Sequence, residues 1–339
     1  MTQEVIDGPA WGWLAGCAFM LLVQAALMVL VAPLFTGVTA WVSAVLEGQS
    51  GLPVMGRWLD IQHQFRRPGL RSEGEGLNAL FGFSAFVLGV LCCALVPVFT
   101  LTIAGFPAPG LLLVCGLLVG ASVLLSLPQA LQGHFSASQA CIALLGDGLL
   151  LPVLVPILLL AGTHDLAAFL AGLHALSPLT DGAPYVLAGV ALFVVVALGP
   201  DGRETAGAMA PLAGPDRGLW LLAADCVRLC WVTLAADMAW AASLSMPGGM
   251  PAGQWVFQCL VGAVLWVCKL GVAALLLAGA RLLVLPATRR VRIRLGAVFL
   301  LGLLAWQVTW AHAPRQAQSM NDTQLTDPSP ATDTTGPTS

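Results

Sequence analysis

The stretch Phe65–Phe83, "FRRPGLRSEGEGLNALFGF", decides how this chain is read. Its first eleven residues, Phe65 to Glu75, hold three arginines and two glutamates, and then the charge stops. From Leu77 onward the sequence is apolar enough for lipid. Asp, Glu, Lys and Arg together are 9% of the chain, against about 25% in ordinary soluble domains. So dense a charged patch, running straight into an uncharged segment, marks a loop between membrane spans.

A bilayer-crossing helix needs about 20 mostly apolar residues. Runs of that kind fall at 11–36, 78–104, 110–130, 139–162, 184–200, 219–246, 255–280 and 295–311, the fifth and last being short. They predict an all-α integral membrane protein of about eight transmembrane helices. The polytopic domain is 11–313, preceded by a short polar N-terminus, 1–10, which lacks the positive region of a cleavable signal. Residues 314–339 form a polar tail with nothing to bury, expected to be disordered. Pro97, Pro128, Pro152 and Pro156 should kink helices, since neighbours in a bundle re-satisfy the freed carbonyls. The segment 163–183 is too interrupted to span and reads as an interfacial amphipathic helix.

Basic residues set the orientation. Loop 37–77 holds Arg57, Arg66, Arg67 and Arg71; loop 201–218 holds Arg203 and Arg217; loop 281–294 holds Arg281, Arg289, Arg290, Arg292 and Arg294. These are alternate loops, and together they carry eleven of the fourteen basic residues. By the positive-inside rule they are cytoplasmic and both termini are periplasmic, as expected in a bacterial cytoplasmic (inner) membrane.

The nine cysteines all lie in apolar runs, without a C-x-x-C or a histidine at zinc spacing, so they read as small hydrophobes. No histidine has an i, i+4 partner, which argues against a metal site. No basic–aromatic stripe suits nucleic acid. The eleven tryptophans sit mostly near span ends, as interfacial anchors do.

Five ionisable residues fall inside the spans: Asp147, Asp225, Arg228, Asp237 and Lys269. Each costs roughly 2.5–3.5 kcal/mol at a helix centre unless paired or hydrated. Asp225 and Arg228, three apart on one helix face, are expected to form an intrahelical ion pair. Counting helical rise places Asp147, Arg228 and Lys269 about 12–16 Å from the cytoplasmic ends of their spans, with Asp225 shallower. That predicts one polar layer in the cytoplasmic half, with Asp237 apart and deeper. The layer is either a charge-balanced network that sets helix register or a proton-conducting or quinone-cavity remnant.

The first loop resembles that of the respiratory complex I subunit 1 family. The closer likeness is to its hydrogenase-type branch: the membrane subunits of formate hydrogenlyase, hydrogenase-4 and energy-converting hydrogenases. Ala32, Pro33, Leu34 and Gly37 resemble that family's helix end, and Gly48, Gly51, Pro53, Asp60, Arg66 and Arg67 its loop. Weaker likeness runs through residues 15–310, placing Asp147 near a family acid and Arg203 at a family arginine. The third cytoplasmic loop departs from the pattern. From Glu204 to Gly218 its only acids are Glu204 and Asp216, where the family carries a carboxylate-rich stretch thought to join a proton path.

The resemblance implies a membrane-anchor and coupling subunit of a hydrogenase-4/formate-hydrogenlyase-like, complex-I-related oxidoreductase. No cofactor is expected in this chain; nickel–iron and iron–sulfur centres belong to partners. Those partners are soluble hydrogenase-like and iron–sulfur subunits, with antiporter-like membrane subunits beside the bundle. The alternatives are a quinone-reactive subunit of an NADH dehydrogenase-like complex or an independent transporter. Acids contribute little to topology, so the mixed charges Asp60, Arg66, Arg67, Arg71, Glu73, Glu75 and Arg203 read as a docking surface.

Overall fold

The computed structural model describes residues 11–51, 53–68, 76–101, 109–131, 163, 165–176, 182–199, 212, 214–244 and 252–282, with isolated residues elsewhere. The elements are α1 (Trp11–Leu46), α2 (Gly56–Arg66), α3 (Gly76–Leu95), α4 (Leu111–Leu131), α5 (Leu166–Ala175), α6 (Ala183–Leu198), α7 (Pro215–Ala239) and α8 (Ala252–Leu282). A short 3-10 turn, Ala241–Ser243, follows α7. The described residues contain no strand, only an isolated bridge between Gly110 and Asp165. Four segments are long and apolar enough to cross a membrane: Ala18–Leu46, Gly76–Leu95, Pro215–Ala239 and Val256–Ala280. The chain is an all-α, multi-pass membrane protein. Span 139–162 and tail 314–339 lie outside the described residues, apart from helical Gly148.

The helix α1 overruns its expected end at residue 36 by ten residues. Nothing between Gly37 and Leu46 is charged or proline, so the helix has no reason to stop. It ends in a Schellman motif at Gly48, whose φ of 71° is the left-handed conformation that glycine tolerates best. Gln49 N–H donates to Ala44 O (2.9 Å) and Gly48 N–H to Val45 O (3.0 Å).

Two expected spans stop early. The span 78–104 ends as a helix at Leu95, because the residue before a proline is driven out of the α region and Pro97 follows. Pro97 therefore terminates a helix that it was expected only to kink. Val96, Val98, Phe99, Thr100 and Leu101 continue as buried, non-helical chain. Likewise 219–246 ends as α7 at Ala239.

The core centres on α7, which packs against α1, α2, α3, α4, α6 and α8. Its contacts with α3 advance together along both chains: Gly82 faces Trp220, Gly89 faces Cys226, and Cys93 Sγ lies 3.5 Å from Cys230 Sγ. The two helices are therefore parallel, and the loops that precede them emerge at the same end. Small residues on α3 (Gly82, Gly89, Cys93) make the close approach possible. On its other side α7 receives Gly189 of α6, where an added Cβ would lie 2.8 Å from Ala235 O.

In segment 163–183 the described helix α5 is ten residues long and packs one face on the bundle. It buries Leu166, Ala167, Phe169 and Leu170, and Phe169 meets Tyr185 edge-on at 5.6 Å.

The Gly189 contact makes a direct prediction. Gly189→Ala should lower stability by about 1–3 kcal/mol, the usual range for overpacking. Gly116→Ala, where a Cβ meets nothing within 4 Å, should be neutral or slightly stabilising. Thermal unfolding in detergent separates the two; equal effects would contradict the α6–α7 packing.

Candidate functional site: two buried ion pairs and an inserted loop helix

The first loop is not a solvated tether. Its turn folds back against α1, and three of the glycines singled out in the sequence make this possible. Gly48 turns the chain. Gly51 lies against the Trp41 indole, where a Cβ would sit 2.5 Å from the ring. Gly37 on α1 packs flat on Val54 O, leaving no room for a Cβ. The short α2 then starts alongside the middle of α1.

Two side chains fasten its first turn. Trp58 Nε1–H donates to Leu30 O at 3.0 Å. Leu30 stands three residues before Pro33, the proline inside α1. The missing N–H of Pro33 frees the carbonyl of Val29, so the indole bonds within the turn that the proline loosens. Trp220 Nε1–H likewise donates to a helix carbonyl, Leu125 O of α4 (3.2 Å). Trp220 and the likewise buried Trp266, which donates to Thr233 Oγ1 at 3.2 Å, are internal donors rather than interfacial anchors.

Arg57 is the second fastener. Its Nε–H donates to Asp225 Oδ2 at 2.8 Å and its second guanidinium arm to Asp225 Oδ1 at 3.1 Å. Thr36 Oγ1 donates to the same Oδ1 at 3.0 Å. The carboxylate is 3% exposed and joins α1, α2 and α7 at one point. Arg57, a loop residue, thus joins the expected neighbour Arg228 at Asp225: it is the bidentate partner, while half-buried Arg228 lies one turn further along α7 and adds its charge.

The second pair is Lys269–Asp237, at 2.9 Å and also buried. Lys269 Nζ donates in addition to Trp240 O (2.7 Å) and lies 5.6 Å from the centre of the Trp240 ring. It thus satisfies the open end of α7. Gln24 does the same for α3: its Nε2–H group donates to Ala94 O (3.0 Å) and Val96 O (2.7 Å). The two broken ends are neighbours, since Phe99 O and Ser243 O both approach the Cβ position of Gly262 on α8.

The single polar layer is therefore two sites. Asp225 and Asp237 are twelve residues apart on one helix, about 18 Å by helical rise. Lys269 belongs with Asp237, because a lysine stem reaches back toward the N-terminus of its own helix. The expected layer grouped Lys269 with Asp225 and set Asp237 alone. Asp147, Arg71, Glu73, Glu75 and Arg203 lie outside the described residues. Asp60 is half-buried and accepts from Gln64 Nε2 at 3.3 Å, whereas Arg66 and Arg67 are exposed. Among the described residues no cluster of His, Cys, Asp or Glu could hold a metal ion.

No family model matches the chain, and no curated protein sequence does. The fold does match a solved structure, one chain of the membrane-bound sulfane sulfur reductase (MBS), an archaeal respiratory membrane complex. The TM-score is 0.65 at 16% identity, over 87% of this chain and 99% of that one. The likeness is one of fold, and it extends over essentially the whole of the MBS chain.

Removing Arg57 should strand a buried carboxylate. Arg57→Met is expected to cost about 3–5 kcal/mol, while Arg57→Met with Asp225→Leu should recover most of it. Thermal unfolding of the two variants measures this; a double variant no better than the single would contradict the pairing.

Proposed function

We propose that the chain is a membrane subunit of a respiratory-type oxidoreductase complex, docking soluble redox subunits and carrying no redox centre of its own. The observation that carries this reading is the fold match to a chain of an archaeal respiratory membrane complex, complete over 99% of that chain. The loop residues that resemble the complex I subunit 1 family support it further. Of these, Gly37, Gly48 and Gly51 turn the loop and seat α2 on the bundle. The finer assignment we propose is the hydrogenase-4/formate-hydrogenlyase-like branch, with nickel–iron and iron–sulfur centres on soluble partners and antiporter-like subunits beside the bundle.

In this reading the basic end of the bundle is cytoplasmic, by the positive-inside rule, and both termini are periplasmic in a bacterial inner membrane. The ends of α1 and α2 and the starts of α3 and α7 gather there. Docking falls to Asp60, Arg71, Glu73 and Glu75, and to Arg203 in the next basic loop. Complementary charge at such a surface sets partner and register. Any coupling to proton translocation would pass through the pairs Arg57–Asp225 and Asp237–Lys269. Loop 201–218 offers only Asp201, Glu204 and Asp216 to feed a path.

Affinity purification of the tagged full chain from its native membrane tests the reading. Iron–sulfur-containing soluble subunits should co-purify, and Glu73→Gln with Glu75→Gln should weaken their retention several-fold, more so as salt rises. Membrane abundance should not change, since acids hardly affect insertion. Isolation of the chain without any redox partner, from gently solubilised membranes, would contradict the proposal.

A further inference from the structure

The exposed face of α2 changes character along its length. Arg57, Ile61 and Gln64 turn inward at helical spacing, Ile61 and Gln64 being buried. Met55 and Leu59 point out and are 56% and 59% exposed. Further along come exposed His63, Phe65, Arg66 and Arg67. Among the described residues no acid shares this face: Asp60 is half-buried and bonded to Gln64.

The depths of the two ends are fixed by their contacts. At the start, Trp58 is bonded to Leu30 O and Arg57 to Asp225, both within segments apolar enough to cross a membrane. At the finish, the Phe65 ring packs on Gly218, 3.2 Å from its Cβ position, in the first turn of α7. Seven residues separate Gly218 from Asp225, so α2 climbs about 10 Å toward the mouth of the bundle. Its apolar outer end therefore lies beside Leu30, which is itself exposed on α1 above Phe19, Leu22 and Val23. Its basic outer end comes at the level where the helices emerge. Apolar below and cationic above is the order of acyl chains and phosphates in a leaflet. The two arginines also stand at the helix C-terminus, where cations are favoured.

We propose that α2 is a half-immersed helix that binds an anionic phospholipid, with Arg66 and Arg67 on the headgroup phosphate and Met55, Leu59 and Leu30 along an acyl chain. Guanidinium groups suit phosphate because they donate in a planar, bidentate fork. Juxtamembrane basic residues are drawn to anionic leaflets in this way. The assignment narrows the docking surface read in the sequence. It gives Arg66 and Arg67 to lipid and leaves the acids beyond them to protein partners.

The test uses the full chain reconstituted in nanodiscs of phosphatidylcholine and phosphatidylglycerol. After mild delipidation, native mass spectrometry should find phosphatidylglycerol retained. Arg66→Gln with Arg67→Gln should cut that retention by roughly an order of magnitude, about what two interfacial charges supply. The thermal midpoint should not move, because neither side chain is buried. In native membranes, benzoylphenylalanine in place of Leu59 should photo-crosslink to phospholipid. Equal phosphatidylglycerol retention by the double variant would overturn the headgroup site. Crosslinking from position 59 to a protein would show that a subunit covers this face, and the proposal would fail.

Discussion

A carboxylate sealed among apolar helices must find a counter-charge or cost the fold several kcal/mol. Asp225 finds it in Arg57, which the sequence places in a loop. That requirement organises the end of the molecule where α7 begins. The loop has to fold back onto α1, and α2 has to begin deep enough for its guanidinium to reach α7. Thr36 adds a third helix to the same carboxylate. Ion pairs of this kind contribute little net stability compared with apolar residues of equal size, yet breaking one partner is costly. The pair therefore specifies where α2 sits more than it strengthens the bundle.

The same accounting governs the irregular backbone. In an apolar bundle every open carbonyl needs a donor, and here the donors are single side chains far away in sequence. Indoles donate to Leu30 O of α1 and Leu125 O of α4. Gln24 closes the end of α3 and Lys269 the end of α7. Lys269 thus has two tasks, neutralising Asp237 and ending a helix. Its replacement by a neutral residue would disturb both the charge balance and the backbone.

Much of the architecture was legible in the sequence because uncharged runs of about 20 residues have few other solutions. The parallel packing of α3 and α7 agrees with the placement of loops 37–77 and 201–218 at one end. The misreadings share a cause: hydropathy locates apolar segments but not where the backbone leaves the helix. Pro97 and Trp240 interrupt apolar runs that a count of residues carries straight through, and Gly48, not residue 36, ends α1. The charges were misassigned for a related reason. Spacing pairs Asp225 with Arg228 on one helix, whereas the bidentate partner comes from an amphipathic stretch whose arginine looked like a topology signal. Gly37, read in the sequence as a mark of family likeness, turns out to make physical room for that stretch.

The central claim is that α2 belongs to the membrane bundle because Asp225 holds Arg57. Amide hydrogen exchange across Gly56–Arg66, in the native chain and in Asp225→Asn, measures this most directly. The account predicts slow exchange in the native chain and faster exchange over α2 alone in the variant, with α7 still protected. Fast exchange of α2 in the native chain, or equal protection in both, would contradict it.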